Sequence, residues 1–123
     1  MTSPSDVRRD LLDLHRTVLD AVRREHERAR GRLAATEFLA ALIDEPQFAW
    51  LRPLTTLVTR LDGMRDEDGE SKDLRRRLHA LIALDTAASR FQQGYAEVLH
   101  GNPDVLVAHV KAMRALKAQM ESS

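Results

Sequence analysis

Apolar residues recur along this chain at three- and four-residue spacings, the signature of amphipathic helices rather than of strands. At about 100° per residue, positions 6–30 form one long helix. Its inner face carries Val7, Leu11, Leu12, Leu14, Val18, Leu19, Val22 and Ala29. Ser5 stands where an N-cap is expected and Gly31 where the helix stops. The apolar arc covers nearly half the circumference, wider than a two-stranded coiled-coil seam, so this helix is expected to touch several neighbours. Positions 34–44 predict a shorter helix that buries Phe38, Leu39, Leu42 and Ile43 and turns Glu37 and Asp44 outward. Pro46 ends it, because proline restricts the residue before it and opens a new helix well.

In the next segment, 47–64, Trp50, Leu51, Leu54, Leu57, Val58, Leu61 and Met64 fall on one stripe and Phe48 falls off it. Pro53 lies inside this segment, removes a backbone donor, and is expected to kink or split it. Positions 64–73, MRDEDGESKD, read as a flexible acidic loop. Ser71 is a fitting cap for a long fourth helix, 71–100, with Leu74, Leu78, Leu81, Ile82, Leu84, Ala88, Phe91, Tyr95 and Leu99 inward and Gly101 as its stop. Asn102-Pro103 is the clearest helix start in the chain. The last helix then runs to about Met120 through Val105, Leu106, Val110, Met113 and Leu116. The expectation is an all-α, compact bundle of about five helices with a kinked middle hairpin and the two long end helices packed together.

Length and composition narrow this picture. A chain of 123 residues that is 43% hydrophobic and 31% charged suits one globular domain spanning 1–123. Nineteen basic and nineteen acidic side chains cancel, so no whole-molecule field draws the protein to nucleic acid or an anionic membrane. Cysteine is absent, which excludes disulfides, thiolate nucleophiles and Cys-ligated metals. With no signal-like N-terminus and no apolar run able to span a bilayer, the expected location is cytoplasmic. Arginine outnumbers lysine sixteen to three, an expectation of a GC-rich bacterial genome.

Several polar residues sit on faces that otherwise look like core. His15 and His26 lie within the apolar arc of the first helix, Asp85 and Gln92 are stacked on the fourth, and His109 is set among apolar residues of the last. Buried polar groups need partners, since an unpaired one costs on the order of 1–3 kcal/mol. Two readings follow: they satisfy one another as a structural network, or they converge on a ligand pocket between the first, fourth and last helices. No cofactor is predicted, although imidazoles and a carboxylate leave room for a haem or a metal ion there.

Catalytic constellations are poorly represented. Glu97-x-x-His100 has the di-iron carboxylate spacing but occurs once, on the polar side of its helix. There is no His-Glu-x-x-His, no Gly-x-Ser-x-Gly and no phosphate-binding glycine loop. Arginines 23, 24, 28, 30 and 32 and the triplet Arg75-Arg76-Arg77 are basic clusters, but Glu25 and Glu27 interleave the first and five acids precede the second. Such compensated runs form salt-laced solvent faces, which argues against nucleic acid as the partner. Residues 34–73 carry nine acids against four bases, while the flanking segments are net basic. That asymmetry lets the middle hairpin dock on the outer helices, in the same chain or in a second copy.

Phe48, Trp50 and Leu51, beside Pro53, supply an aromatic and aliphatic cluster that is core in a monomer or an anchor in a dimer. The run DEPQFAWLRPLTTLVTRLD, residues 44–62, resembles a phrase of small, functionally unassigned bacterial all-helical proteins. The likeness extends to RRDLLDLHRTVLDAVRREHERARGR upstream and FQQGYAEVLHGNPDVLVAHV downstream. It implies one helical domain in a bacterial cytoplasm and carries no activity, cofactor or site residue. The resulting expectation is a non-catalytic protein-interaction or regulatory module, self-associating as a homodimer or bound to another protein. A ligand-, haem- or metal-binding bundle is the alternative.

Overall fold

A computed structural model of the chain describes residues 3–65, 68–83 and 89–121. The order is α1 (Pro4–Arg30), α2 (Ala35–Asp44), a 3-10 segment (Pro46–Leu51), α3 (Arg52–Asp62), α4 (Gly69–Ile82), α5 (Arg90–Gly101) and α6 (Pro103–Glu121). All described secondary structure is helical, and none of these helices is long and apolar enough to cross a membrane. The buried apolar side chains form one cluster to which every element contributes.

The cap of α1 lies two residues before the expected one. Ser3 is the N-cap: its hydroxyl accepts from the Asp6 amide at 3.2 Å, and the Asp6 carboxylate accepts from the Ser3 amide at 3.0 Å. This reciprocal box places Pro4 in the first turn, where a missing N–H costs nothing, and displaces Ser5 from the cap role. The Ser3 hydrogen bonds hold the Asp6 carboxyl below its ordinary value. At the other end Gly31 takes φ +89°, a backbone region that side chains with a Cβ avoid. The buried stripe is Val7, Leu11, Leu14, Val18, Ala21 and Val22, while Leu12 and Ala29 turn to solvent.

Pro53 splits the third segment as expected. A continuous helix would press its ring against the Ala49 carbonyl, so the chain winds as a 3-10 turn up to Leu51 and places Pro53 in the first turn of α3. The same winding corrects the placement of Phe48. At three residues per turn, positions 48 and 51 eclipse, so Phe48 and Leu51 both face the core.

The expected helix over 71–100 is two helices. α4 is entered from Asp68, so Ser71 is not a cap; it is buried and accepts a hydrogen bond from Arg75 at 2.7 Å. The second half of the expected acidic loop is therefore the first turn of α4. α5 starts after Ser89, whose backbone is extended and whose hydroxyl accepts from the Gln92 amide at 3.1 Å. An extended, capping Ser89 is incompatible with a helix running through it.

The two long terminal helices, α1 and α6, pack along each other. α6 buries Val105, Ala108, Ala112, Ala115 and Leu116, a stripe of mostly small side chains that lets the two backbones approach closely. Leu106 and Val110, expected inward, are instead exposed. Between Val105 and Leu116 the inward face is alanine, and Leu106, Val107 and Val110 lie on the other side.

Candidate functional site

The inward polar residues do not converge. His15 Nε2 on α1 lies 2.9 Å from Thr55 Oγ1 on α3. His109 Nδ1 on α6 lies 2.7 Å from the Tyr95 hydroxyl on α5. Gln92 on α5, buried, donates from Nε2 to the Leu81 carbonyl on α4 at 3.4 Å. His26, at the far end of α1, sits beside Gln47 and packs edge-on to Phe48 at 5.3 Å between ring centroids. Asp85 lies outside the described residues. Among the described residues, His15, His26, Gln92 and His109 thus stand in separate pairs across different helix contacts. Each is satisfied locally, as a structural network requires.

Burial holds both His15 and His109 below the ordinary histidine value and pushes the Tyr95 hydroxyl well above the ordinary phenol value. Tyr95 and His109 therefore bond as a neutral pair. No group of three metal-ligating side chains comes together among the described residues, and Glu97 and His100 are both exposed on α5. Thr55 was not singled out by the pattern. Its only signal was a polar residue between Leu54 and Leu57, on the side of α3 that faces His15.

His26 does line a cleft, and Trp50 with it. The second half of α1, the 3-10 segment and α5 enclose about 690 Å³, with Phe48 and Val98 on its apolar walls and Glu25, Glu97 and Asn102 among its polar groups. Trp50 forms one edge, half-buried, its ring laid against Gly94 so closely that a Cβ there would stand 2.6 Å from it. On the other side of Trp50 a shallower groove runs past Pro46, Pro53 and Phe91. Trp50 thus keeps an accessible edge, whereas Phe48 and Leu51 are core and unavailable to a partner.

The exposed apolar surface lies elsewhere. On α2, Leu39 is 57% and Ile43 69% exposed; on α6, Leu106, Val107 and Val110 are 49%, 56% and 39% exposed. Both were expected in part to be buried: Leu39 and Ile43 in the second helix, Leu106 and Val110 in the last. Only Phe38 of α2 is buried, edge-on to Phe48 at 5.9 Å and beneath the Arg23 guanidinium. The helix is nonetheless held at both ends. Arg23 donates to the Leu33 carbonyl at 2.7 Å, the Glu27 carboxylate accepts from the Leu33 amide at 2.9 Å, and Arg52 donates to the Ile43 carbonyl at 2.7 Å.

The arginine clusters are laced with carboxylates. Arg23 pairs with Glu27, Arg28 with Glu25 and Arg77 with Asp73, while Arg75 is buried against Ser71 and so leaves the triplet. Comparison of the chain with protein-family models, with curated proteins and with solved structures gave no match. The functional reading therefore rests on the chain's own geometry.

Proposed function

We propose that this chain is a non-catalytic protein-interaction module of the bacterial cytoplasm that self-associates. One observation carries the reading: α2 is a mostly apolar helix, anchored at both ends, that buries Phe38, packs Ala41 and Leu42 partly against the core, and presents Leu39 and Ile43 to water. Covering a leucine or isoleucine side chain is worth about 1.5–3 kcal/mol, so a second surface laid on α2 gains from contacts the monomer leaves unmade. Because α2 is tied down before a partner arrives, docking incurs little ordering entropy. The locally satisfied His15, Gln92 and His109 support a structural rather than a chemical role for those groups. Sedimentation velocity from low micromolar to several hundred micromolar tests the proposal. A monomer that gives way to dimer as concentration rises is expected, and a species that stays monomeric throughout overturns it.

The second reading, a small-ligand protein, draws on the cleft beside His26. Its volume lies within the range of small-molecule pockets, and its walls are apolar with a few polar groups. Trp50 is the chain's one tryptophan, so a ligand entering the cleft should change the intrinsic fluorescence. A structure of protein purified from its own host without chelator would show whether density occupies the cleft.

A further inference from the structure

We infer that the aromatic rings from Trp50 to Tyr95 carry a one-electron oxidation from the surface into the core, where His109 takes up the phenolic proton. The oxidants concerned are small radicals able to withdraw an electron from indole. This activity is independent of the self-association proposed above.

The chain has one tryptophan and one tyrosine, and both stand in the same file of rings. Phe91 links them. Its centroid lies 6.0 Å from that of Trp50 and 5.2 Å from that of Tyr95, the latter two rings within 17° of parallel. Phe91 and Tyr95 stack because they are four residues apart on α5 and so share one face. Gly94 holds the outer end of the file. A Cβ there would fall 2.6, 2.7 and 2.9 Å from three adjoining indole carbons, Cδ2, Cε3 and Cε2, which sets the α5 backbone against the face of the ring. Trp50 is half-buried and lines a cleft on either side, so small oxidants reach it from solvent. Phe91 and Tyr95, 3% and 0% exposed, are closed to them. An electron vacancy formed at the indole therefore reaches the phenol across packed rings.

The proton makes Tyr95 the terminus. A phenol that loses an electron becomes a strong acid, and inside the protein its proton needs a bonded base, because a buried charge without a partner is costly. His109 Nδ1 lies 2.7 Å from the hydroxyl. The hydroxyl has no other hydrogen-bond partner among the described residues, so its O–H is satisfied by donating to Nδ1, with the imidazole proton on Nε2. Burial holds His109 below the ordinary histidine value, which keeps Nδ1 unprotonated and able to accept. The step balances. The Trp50 radical cation takes one electron from Tyr95 and returns to indole, the Tyr95 O–H bond breaks, and the proton forms an N–H bond at Nδ1. A neutral tyrosyl radical and a His109 imidazolium remain, the latter on a half-buried ring whose charge reaches solvent. Where the indole has already shed its Nε1 proton, it recovers one from water as it is reduced. His15 makes a similar contact with Thr55, but an aliphatic hydroxyl does not give up an electron to indole, so that pair has no such role.

Pulse radiolysis in azide solution tests this, because the azide radical it generates oxidises indole selectively. In wild type the indolyl absorption should decay as the tyrosyl radical absorption grows, at a first-order rate that is the same at every protein concentration. Trp50→Leu should yield no tyrosyl radical, since Tyr95 is closed to solvent. Tyr95→Phe should leave the indolyl radical to decay only by encounters between molecules. His109→Gln keeps a hydrogen-bond acceptor but not a base, so with unchanged circular dichroism it should slow the transfer at least about tenfold. A merely structural histidine would leave the rate where it was. The wild-type rate should also fall in D2O, a readout that needs no variant. Absence of transfer in wild type, a rate that rises with protein concentration, or a tyrosyl radical in Trp50→Leu overturns the ring path. Equal rates in the two solvents, or a folded His109→Gln slowed less than about tenfold, overturns proton uptake by His109.

Discussion

Helices α2 and α3 are sequence neighbours of ten and eleven residues, and they meet opposite fates. α3 buries Leu54, Val58 and Leu61 and turns Arg52, Thr56, Thr59, Arg60 and Asp62 to solvent. α2 is the more apolar of the two, yet it buries Phe38 alone. What seats a helix is contrast between its faces, not its hydrophobic content. α3 has a polar back that permits only one orientation against α1 and α4. The apolar residues of α2 spread over more than one side, so Phe38, Ala41 and Leu42 pack against the core while Leu39 and Ile43 stay exposed.

The comparison can be broken at its strongest point first. Leu54→Ala, at a fully buried position of α3, should cost about 2–5 kcal/mol in denaturant unfolding; a loss near zero would mean α3 is not seated as described. Gly94→Ala should come next, at about 1–3 kcal/mol, because the new methyl cannot coexist with the Trp50 ring. The displaced indole should also shift the fluorescence spectrum to the red, and an unchanged spectrum would show that the ring does not rest there.

An effect of pH should follow for the α1–α3 contact. Burial lowers His15 and His109 in the folded protein, so as pH falls through about 6.5 the unfolded chain takes up protons first. Stability is then complete above that value and declines below it until the folded-state values are passed. The melting temperature should drop between about pH 7 and pH 5, less steeply in His15→Gln. An identical slope in the variant would assign the titration to other groups.

The smallest effect belongs to α2. Leu39→Ala and Ile43→Ala should each leave the monomer within about 0.5 kcal/mol of wild type, measured below the concentration at which copies associate. Losses as large as that of Leu54→Ala would place α2 in the core and erase the distinction.

Much of this was legible one residue at a time. The Gly31 stop, the Pro46 break, the split at Pro53 and the start at Pro103 are set by backbone chemistry that each residue carries with it. Other features depend on competition between residues. Ser3 and Ser5 both suit a cap, and the capping box with Asp6 settles the choice between them. Ser71 resembled a cap, but the helix starts earlier and its hydroxyl serves Arg75. Phe48 falls off the stripe at α-helical spacing and joins it at 3-10 spacing. For the candidate site, the polarity of His15, His26, Gln92 and His109 was visible, whereas their partners lie on other helices and no spacing along the chain could name them.

The sequence by itself determined that the chain is helical, roughly where most of its helices begin and end, and that polar groups would be drawn into the interior. These are matters of local dihedral preference and of the period of apolar positions, which act over a few residues. Only the tertiary structure decided that α6 turns Ala108, Ala112 and Ala115 inward and Leu106, Val107 and Val110 outward, that the half-buried His15 and His109 pair separately with Thr55 and Tyr95, and that α2 leaves Leu39 and Ile43 exposed. Burial is shared among all helices at once. A face is inside only if another surface is there to close over it.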